Sequence, residues 1–491
     1  MVLNRIFILW LIVAMGSLIT SCSEDDALET QDFTPGEENA EFRRGGDRGG
    51  GQGGDQDGPQ GDDPRDPRET QDASVVMAWN DLFLELDRYA TGMRPNATAR
   101  ALAYIHLAAY ETAVPGLSGF ESNEDHIRGL RIRGNIDRRD LDLNLALNAA
   151  YSKVLDHFLI NLPDNLRSNI GTLEQNLHEL YLQNAPGNSV DNSLEWGMSV
   201  AEQIIEFSQT DGEAEEQILS PQPLSYEPPT GEGYWTYSAE PERALFPYWE
   251  SVRTFVISPD ETSTVPPKEY SEDENSPYYA EMLEVYNANN DAREEDGEQL
   301  WIAEFWSDDV ENLMMSPPGR QISIANQLID QYNLDLETSL HLLVKLGFSL
   351  NDAAVATWKY KYEYMVMRPS VFIQDFIDPS YQTNLYRLIP WPNPTFPGYP
   401  SGHSCFASAA AGVFIDFFGS ITNFTDRTHE GRTEFRGMPR QFDSFEEMAA
   451  ENGYSRLPLG VHIKMDCDEG LRLGYEISDA VNRYQLRRRR A

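Results

Sequence analysis

Apolar residues recurring at helical spacing constrain this chain more than any other feature. Leu147, Ala150, Tyr151, Val154, Leu155 and Phe158 fall on one face of a 3.6-residue helix, and Trp196, Val200, Ile204 and Phe207 fall on another. The same spacing predicts a helix over residues 99–114 and a long one over about 337–367. Strand-like alternation bounded by turn residues is hard to find, so the expected fold class is all-α, a helical bundle with long Pro-rich loops. The main loop runs from Leu219 to Pro277 and carries Pro221, Pro223, Pro228, Pro229, Trp235, Pro247, Trp249, Pro266 and Pro267. A stretch that long inside a compact domain is functional or wraps the core. With 40% hydrophobic and 11% aromatic residues, the chain has the material for a large core.

The first 72 residues have a different character. Ile6 to Met15 form an unbroken apolar run behind Arg5, which decays into Gly16, Ser17 and then Ile19-Thr20-Ser21-Cys22. A membrane-spanning helix needs about 20 apolar residues, and this run is too short. The pattern resembles a bacterial lipoprotein signal over residues 1–21, with Cys22 acylated to anchor the protein in a membrane, the outer membrane in a Gram-negative cell. The acidic Ser23-Glu24-Asp25-Asp26 resembles signals that send such lipoproteins to the cell surface. Residues 22–72, rich in Gly, Asp and Gln, read as a disordered acidic tether. Residues 73–491 are then the folded domain.

Charge excludes one class of partner. The chain has 38 Lys+Arg against 80 Asp+Glu, a net charge of −42. The tether supplies only 16 acids against 5 arginines over 24–72, so most of the excess belongs to the folded domain. An acidic surface repels a polyanion, which argues against a nucleic-acid partner. Three cysteines are too few for a disulfide scaffold or a cysteine-rich metal centre. Cys405 and Cys467 read as small buried thiols, and His106, His157 and His341 as packed or surface histidines.

Against that background, three short motifs gather cations and histidines. The first is Lys361-x6-Arg368-Pro369; on a continuous helix seven residues bring both cations to one face, with Pro369 ending the helix. The second is Pro400-Ser401-Gly402-His403 followed by an Ala-rich run, a turn feeding a helix amino terminus. Free backbone N–H groups there attract an anion, Ser401 offers a hydroxyl, Gly402 admits close approach and His403 can move a proton. The third is Ser455-Arg456-x5-His462-x3-Asp466, in which Arg456 supplies a planar fork and Asp466 fixes the His462 tautomer. The motifs specify eleven positions, each matched by chance about one time in twenty, so even with roughly ten million ways to place them the expected accidental count is about 10⁻⁷.

This ordered set, within residues 358–466, resembles the vanadium-dependent haloperoxidases and the type 2 phosphatidic-acid phosphatase superfamily that contains them. The resemblance implies a vanadate cofactor, with hydrogen peroxide and halide as substrates and hypohalous acid as product. It implies that Lys361, Arg368, Ser401, Gly402 and Arg456 bind the oxyanion's oxygens, that His462 bonds the central atom, and that His403 is the acid–base group. Trp358 and Phe396 match aromatic positions of the halide pocket. Phe396 corresponds to the Phe of fungal chloroperoxidases and bacterial iodoperoxidases, and Ser404 stands where the fungal enzymes have Ala. The segment Phe305-Trp306-Ser307-Asp308-Asp309 implies Asp309 as the partner of Arg456, with Asp308 a competitor. Iodide first and bromide second is the expected halide order. The alternative is a soluble acid phosphatase that forms a phosphohistidine at His462. A third reading, a surface lipoprotein that only binds glycans or partners, would leave the whole set without a role.

Overall fold

The computed structural model describes residues 71–487, apart from 184, 186, 188, 238–242, 296, 309 and 389–392. The signal region, Cys22, nearly all of the tether and Asp309 lie outside the described residues. Gln71 and Asp72, assigned to the tether by composition, are held by the domain. The Gln71 carbonyl accepts the Leu336 N–H at 2.9 Å, and Asp72 bridges to Asp335.

Fifteen α-helices, six short 3-10 turns and one two-stranded antiparallel sheet, Phe424–Asp426 with Arg440–Phe442, make up the regular structure of the described residues. Helices α1 (Ser74–Asp87), α2 (Asn96–Ala113), α3 (Leu143–Phe158), α4 (Asp164–Leu182) and α5 (Val190–Ser208) form the first bundle, in which α2, α3 and α5 pack on one another. After α6 (Ala214–Leu219) comes the Pro-rich stretch. Then follow α7 (Pro277–Glu295), α8 (Glu298–Phe305) and α9 (Pro317–Gln331). The second bundle is α10 (Leu336–Tyr364), α12 (Gly402–Phe418), α13 (Phe445–Tyr454) and α15 (Lys464–Arg483), with short α11 (Pro369–Phe376) and α14 (Arg456–Leu459) between them.

Helix α10 joins the two bundles. Asp335 starts it as N-cap, accepting the Thr338 N–H at 2.8 Å. Its flanks are buried against α2 on one side and against α12 and α15 on the other. A side chain at Gly347 would meet the Ala103 backbone at 3.0 Å, so a glycine is what lets α10 and α2 touch. The α12–α15 seam is closer still. A Cβ at Gly474 would lie 2.1 Å from Ser408 Oγ and 2.3 Å from the Cys405 carbonyl, and one at Gly470 would lie 2.4 Å from the Ser401 carbonyl.

The expected 337–367 helix stops three residues early. Tyr364 is its last residue, Met365 adopts a left-handed conformation at φ 51°, and the chain then runs extended. Backbone pairing with the Pro-rich stretch holds it there: Trp235 N–H to the Met365 carbonyl at 2.6 Å, and Met367 N–H to the Gly233 carbonyl at 3.0 Å. The Gly398 N–H completes the set, donating to Val366 at 2.9 Å. Arg368 is therefore not on the Lys361 helix at all; it is the N-cap of α11, with Pro369 as the first residue of that helix. The two cations share a site because the chain reverses, and the seven-residue spacing has no part in it.

The Pro-rich stretch wraps the core, burying Trp235, Phe246, Trp249 and Phe255. Asp352, buried on α10, clamps it by accepting the N–H groups of Phe255, Val256 and Ile257 at 2.8, 2.8 and 3.0 Å. Burial pushes the Asp352 carboxyl up to about 6. A carboxyl whose folded pKa is raised binds its proton more tightly in the native state, so stability falls as pH rises from about 4 to about 6 and is flat above. We expect Asp352→Asn to remove a pH-dependent loss of roughly 2–3 kcal/mol over that window. Urea unfolding of both proteins at pH 4.5 and 7 checks it; parallel pH profiles would contradict it.

Candidate active site

The site lies in the second bundle, where α12 starts. Ser401 is the α12 N-cap, its side chain accepting the Ser404 N–H at 3.3 Å, and Gly402 and His403 are the first helical residues. The amino terminus of a helix presents first-turn N–H groups and the positive end of the helix dipole, which suits this end to an anion. A Cβ built on Gly402 would lie 3.5 Å from the Trp358 ring and 4.0 Å from Lys361 Cε, so the glycine faces both site residues.

The turn that feeds α12 is held by Lys361, whose ammonium donates to the carbonyls of Pro397, Gly398 and Pro400 at 2.9, 3.0 and 2.6 Å. Arg368 donates from Nε to the Phe396 carbonyl at 2.9 Å and from Nη1 to the Val461 carbonyl at 2.8 Å. The Arg456 Nη1 donates to the Trp306 carbonyl at 2.9 Å. None of the three cations is more than 1% exposed. Phe396 and Trp358, with ring centroids 4.8 Å apart, form an apolar wall beside them. The Lys361 ammonium is 5.1 Å from the Phe396 centroid, and the Arg368 guanidinium carbon 4.9 Å.

His462 is the centre of the group. Arg368 Nη1 lies 3.1 Å from its Nε2, and a guanidinium can only donate, so Nε2 carries the lone pair and Nδ1 the proton. Nδ1 in turn donates to Asp466 Oδ2 at 3.0 Å. Asp466 is the third residue of α15 and also accepts the Ile463 N–H at 3.3 Å, so helix capping fixes the carboxylate that fixes the imidazole. Burial, followed by the charges of Arg368, Lys361, Arg456 and His403, holds His462 well below the ordinary histidine range, and it stays neutral. Burial pushes the Asp466 carboxyl up to about 7, against the pull of Lys361 and Arg368.

This donor set is one ammonium, two guanidiniums, a hydroxyl, a helix amino terminus and a neutral imidazole lone pair. It fits a tetrahedral oxyanion whose central atom accepts a nitrogen ligand. No cluster of three His, Cys, Asp or Glu able to cage a metal cation occurs among the described residues.

The comparisons agree with this geometry. A model of the second helical-bundle domain of VCPO matches residues 341–489, which span the three motifs. The vanadium chloroperoxidase of Curvularia inaequalis is 23% identical over 82% of this chain and 80% of its own length. A crystal structure of a bacterial vanadium-dependent iodoperoxidase superposes with a TM-score of 0.74 at 25% identity, covering 85% of this chain and 97% of that one. Residues 341–489 thus match a vanadium haloperoxidase domain, and the chain shares the fold of the bacterial vanadium haloperoxidases. An apo-type bacterial vanadium-dependent chloroperoxidase structure shares the fold at a TM-score of 0.63 and 14% identity, over 84% of this chain and 97% of its own.

Within this site, the structure brings together Trp358, Lys361, Arg368, Phe396, Ser401, Gly402, His403, Arg456, His462 and Asp466. Ser404 is set apart. It is fully buried, its hydroxyl beside Gly453 and Cys467, which turns it toward α13 and α15 and away from the aromatic wall. Asp308 bonds Arg320 at 2.7 Å within a buried group that includes Asp426. Cys405 and Cys467 are free and buried. His106 is buried against Tyr151, His341 packs between Phe120 and Phe417, and His157 lies 3.6 Å from Glu215. Sequence reasoning missed Arg320 and the carbonyls that hold the three cations. Arg320, two residues past Pro317-Pro318, was the one visible signal, a lone basic residue inside a helical apolar pattern.

Proposed function

We propose that this protein uses hydrogen peroxide to oxidise halide, iodide first and bromide second, to hypohalous acid at a vanadate held on His462. The observation that carries the reading is the His462 Nε2 lone pair, fixed by Asp466 behind it and set among three buried cations. Bound vanadate supplies a Lewis-acid centre that activates peroxide without changing its own oxidation state. Lys361, Arg368 and Arg456 bind and polarise its oxygens, with the Ser401 hydroxyl and the Gly402 N–H. His403, 7% exposed and at the start of α12, takes the proton of the entering peroxide on its ring nitrogen. Trp358 and Phe396 exclude water from one side and offer a polarisable, weakly hydrating wall. Iodide is the halide easiest to oxidise and the least costly to desolvate against such a wall, and the similar bacterial protein is an iodoperoxidase.

A neutral buried histidine backed by a carboxylate is also fit to accept a phosphoryl group. One sample separates the two readings. After loading with orthovanadate, the protein is expected to oxidise iodide with peroxide and to turn over p-nitrophenyl phosphate negligibly. Phosphatase turnover that vanadate inhibits, with no halide oxidation, would reverse the assignment.

Acylation of Cys22, anchoring the enzyme at the outer membrane, is the companion proposal. Its support is the short apolar run of residues 6–15 that ends in small residues before the cysteine. Cys22→Ala is expected to move the protein from the membrane to the soluble fraction. An unchanged membrane fraction would contradict the anchor.

A further inference from the structure

Trp306 is one of the largest fully buried side chains in the protein, and the proposed chemistry makes no use of its indole. Its surroundings include a hold on Arg456. The Trp306 backbone carbonyl accepts Arg456 Nη1 at 2.9 Å. Its indole Nε1–H donates to Glu451 Oε1, also at 2.9 Å. Glu451 lies on α13, five residues before Arg456, which opens α14 just past the shared cap residue Ser455. Trp306 is thus held at two points, its backbone by α14 and its side chain by α13.

The grip is braced on both sides. Arg440, on the second strand, donates from Nε to Glu451 Oε1 at 2.7 Å and from Nη2 to Oε2, so the carboxylate cannot rotate away from the indole. Arg320 stacks 4.9 Å from the Trp306 ring and 4.7 Å from the Phe305 ring. It donates to the Phe305 carbonyl and to Asp308 Oδ1 at 2.7 Å, one residue before and two after Trp306. The backbone on both sides of the Trp306 carbonyl is thereby tied down, and the indole hydrogen bond adds a further hold on the same residue.

We propose that Glu451 and Trp306 are positioning residues: the Glu451–indole hydrogen bond fixes the Trp306 carbonyl, and that carbonyl aims Arg456 at the oxyanion. The proposal rests on the reading of Arg456 as an oxyanion ligand. A guanidinium must be placed within a few tenths of an ångström to form its paired bonds, so a loosened carbonyl weakens anion binding even where the fold survives.

The test is calorimetric titration of the full chain, free of vanadate, with orthovanadate, alongside thermal unfolding of each variant. Trp306→Phe and Glu451→Ala are each expected to weaken binding about five- to tenfold. Glu451→Gln, which keeps an oxygen for the indole, is expected to stay within about twofold of the original protein. Arg456→Lys is expected to weaken binding more than any of these, and Trp306→Phe added to it should have no further effect, because the carbonyl then has no guanidinium to aim. Unchanged vanadate affinity in both Trp306→Phe and Glu451→Ala, or independent effects in the double variant, would overturn the positioning role. If Trp306→Phe does not fold, Glu451→Ala at the half-buried rim decides alone. Normal binding by Arg456→Lys would overturn the oxyanion reading itself.

Discussion

Replacing His462 with alanine is expected to abolish vanadate-dependent iodide oxidation, lowering kcat/KM by about a thousandfold or more. The imidazole supplies a nitrogen lone pair that the structure fixes within the cation group, through Arg368 at Nε2 and Asp466 at Nδ1. Charge alone would still draw an oxyanion in, because Lys361, Arg368 and Arg456 remain, but the central atom would lose its protein ligand. Folding should survive. His462 is neutral, so no buried charge is orphaned, and Asp466 keeps the Ile463 N–H as a donor. Iodide oxidation measured after orthovanadate loading, with circular dichroism as the folding control, checks this; more than a tenth of the original activity would refute the role.

A large effect on stability is expected at Gly474. An added methyl would sit 2.1 Å from Ser408 Oγ, 2.3 Å from the Cys405 carbonyl and 2.8 Å from the Ala409 nitrogen. The hydroxyl can rotate aside, but the other two are backbone atoms of α12, and α12 and α15 would have to separate. Overpacking of this kind costs about 3 kcal/mol or more. Because α12 carries Gly402 and His403 at its start, the shift should also weaken the site. Gly171 is the matched control: it lies inside α4 with no atom within 4 Å of a built Cβ. Gly171→Ala should be neutral or stabilising by up to about 1 kcal/mol. Chemical denaturation of the two variants measures both; equal midpoints would show that the α12–α15 seam is not tightly packed.

What the sequence revealed of this site was local. Ser401-Gly402-His403 reads as a capped helix start because the cap and the N–H groups it leaves free lie within four residues. His462 and Asp466 are legible for the same reason, since one helix terminus sets both. Arg368 was misplaced because the α10 stop is not local. Met365 takes its left-handed turn without being glycine, held by pairing with Gly233 and Trp235, more than a hundred residues earlier. Ser404 was misread because adjacency in sequence is not adjacency on a helix; successive residues are about 100° apart, and the one after His403 faces the packed side. The carbonyls of Trp306, Phe396 and Val461 were invisible, since a backbone acceptor leaves no trace in residue identity.

The claim on which the rest depends is that one vanadate sits on His462 and makes the protein a peroxidase. Titrating the vanadate-free full chain with orthovanadate, while following iodide oxidation by hydrogen peroxide, tests it directly. The account predicts activity that is absent at the start, rises with added vanadate and saturates at one equivalent per chain. Iodide oxidation at full rate without vanadate, or none after saturation, would contradict it.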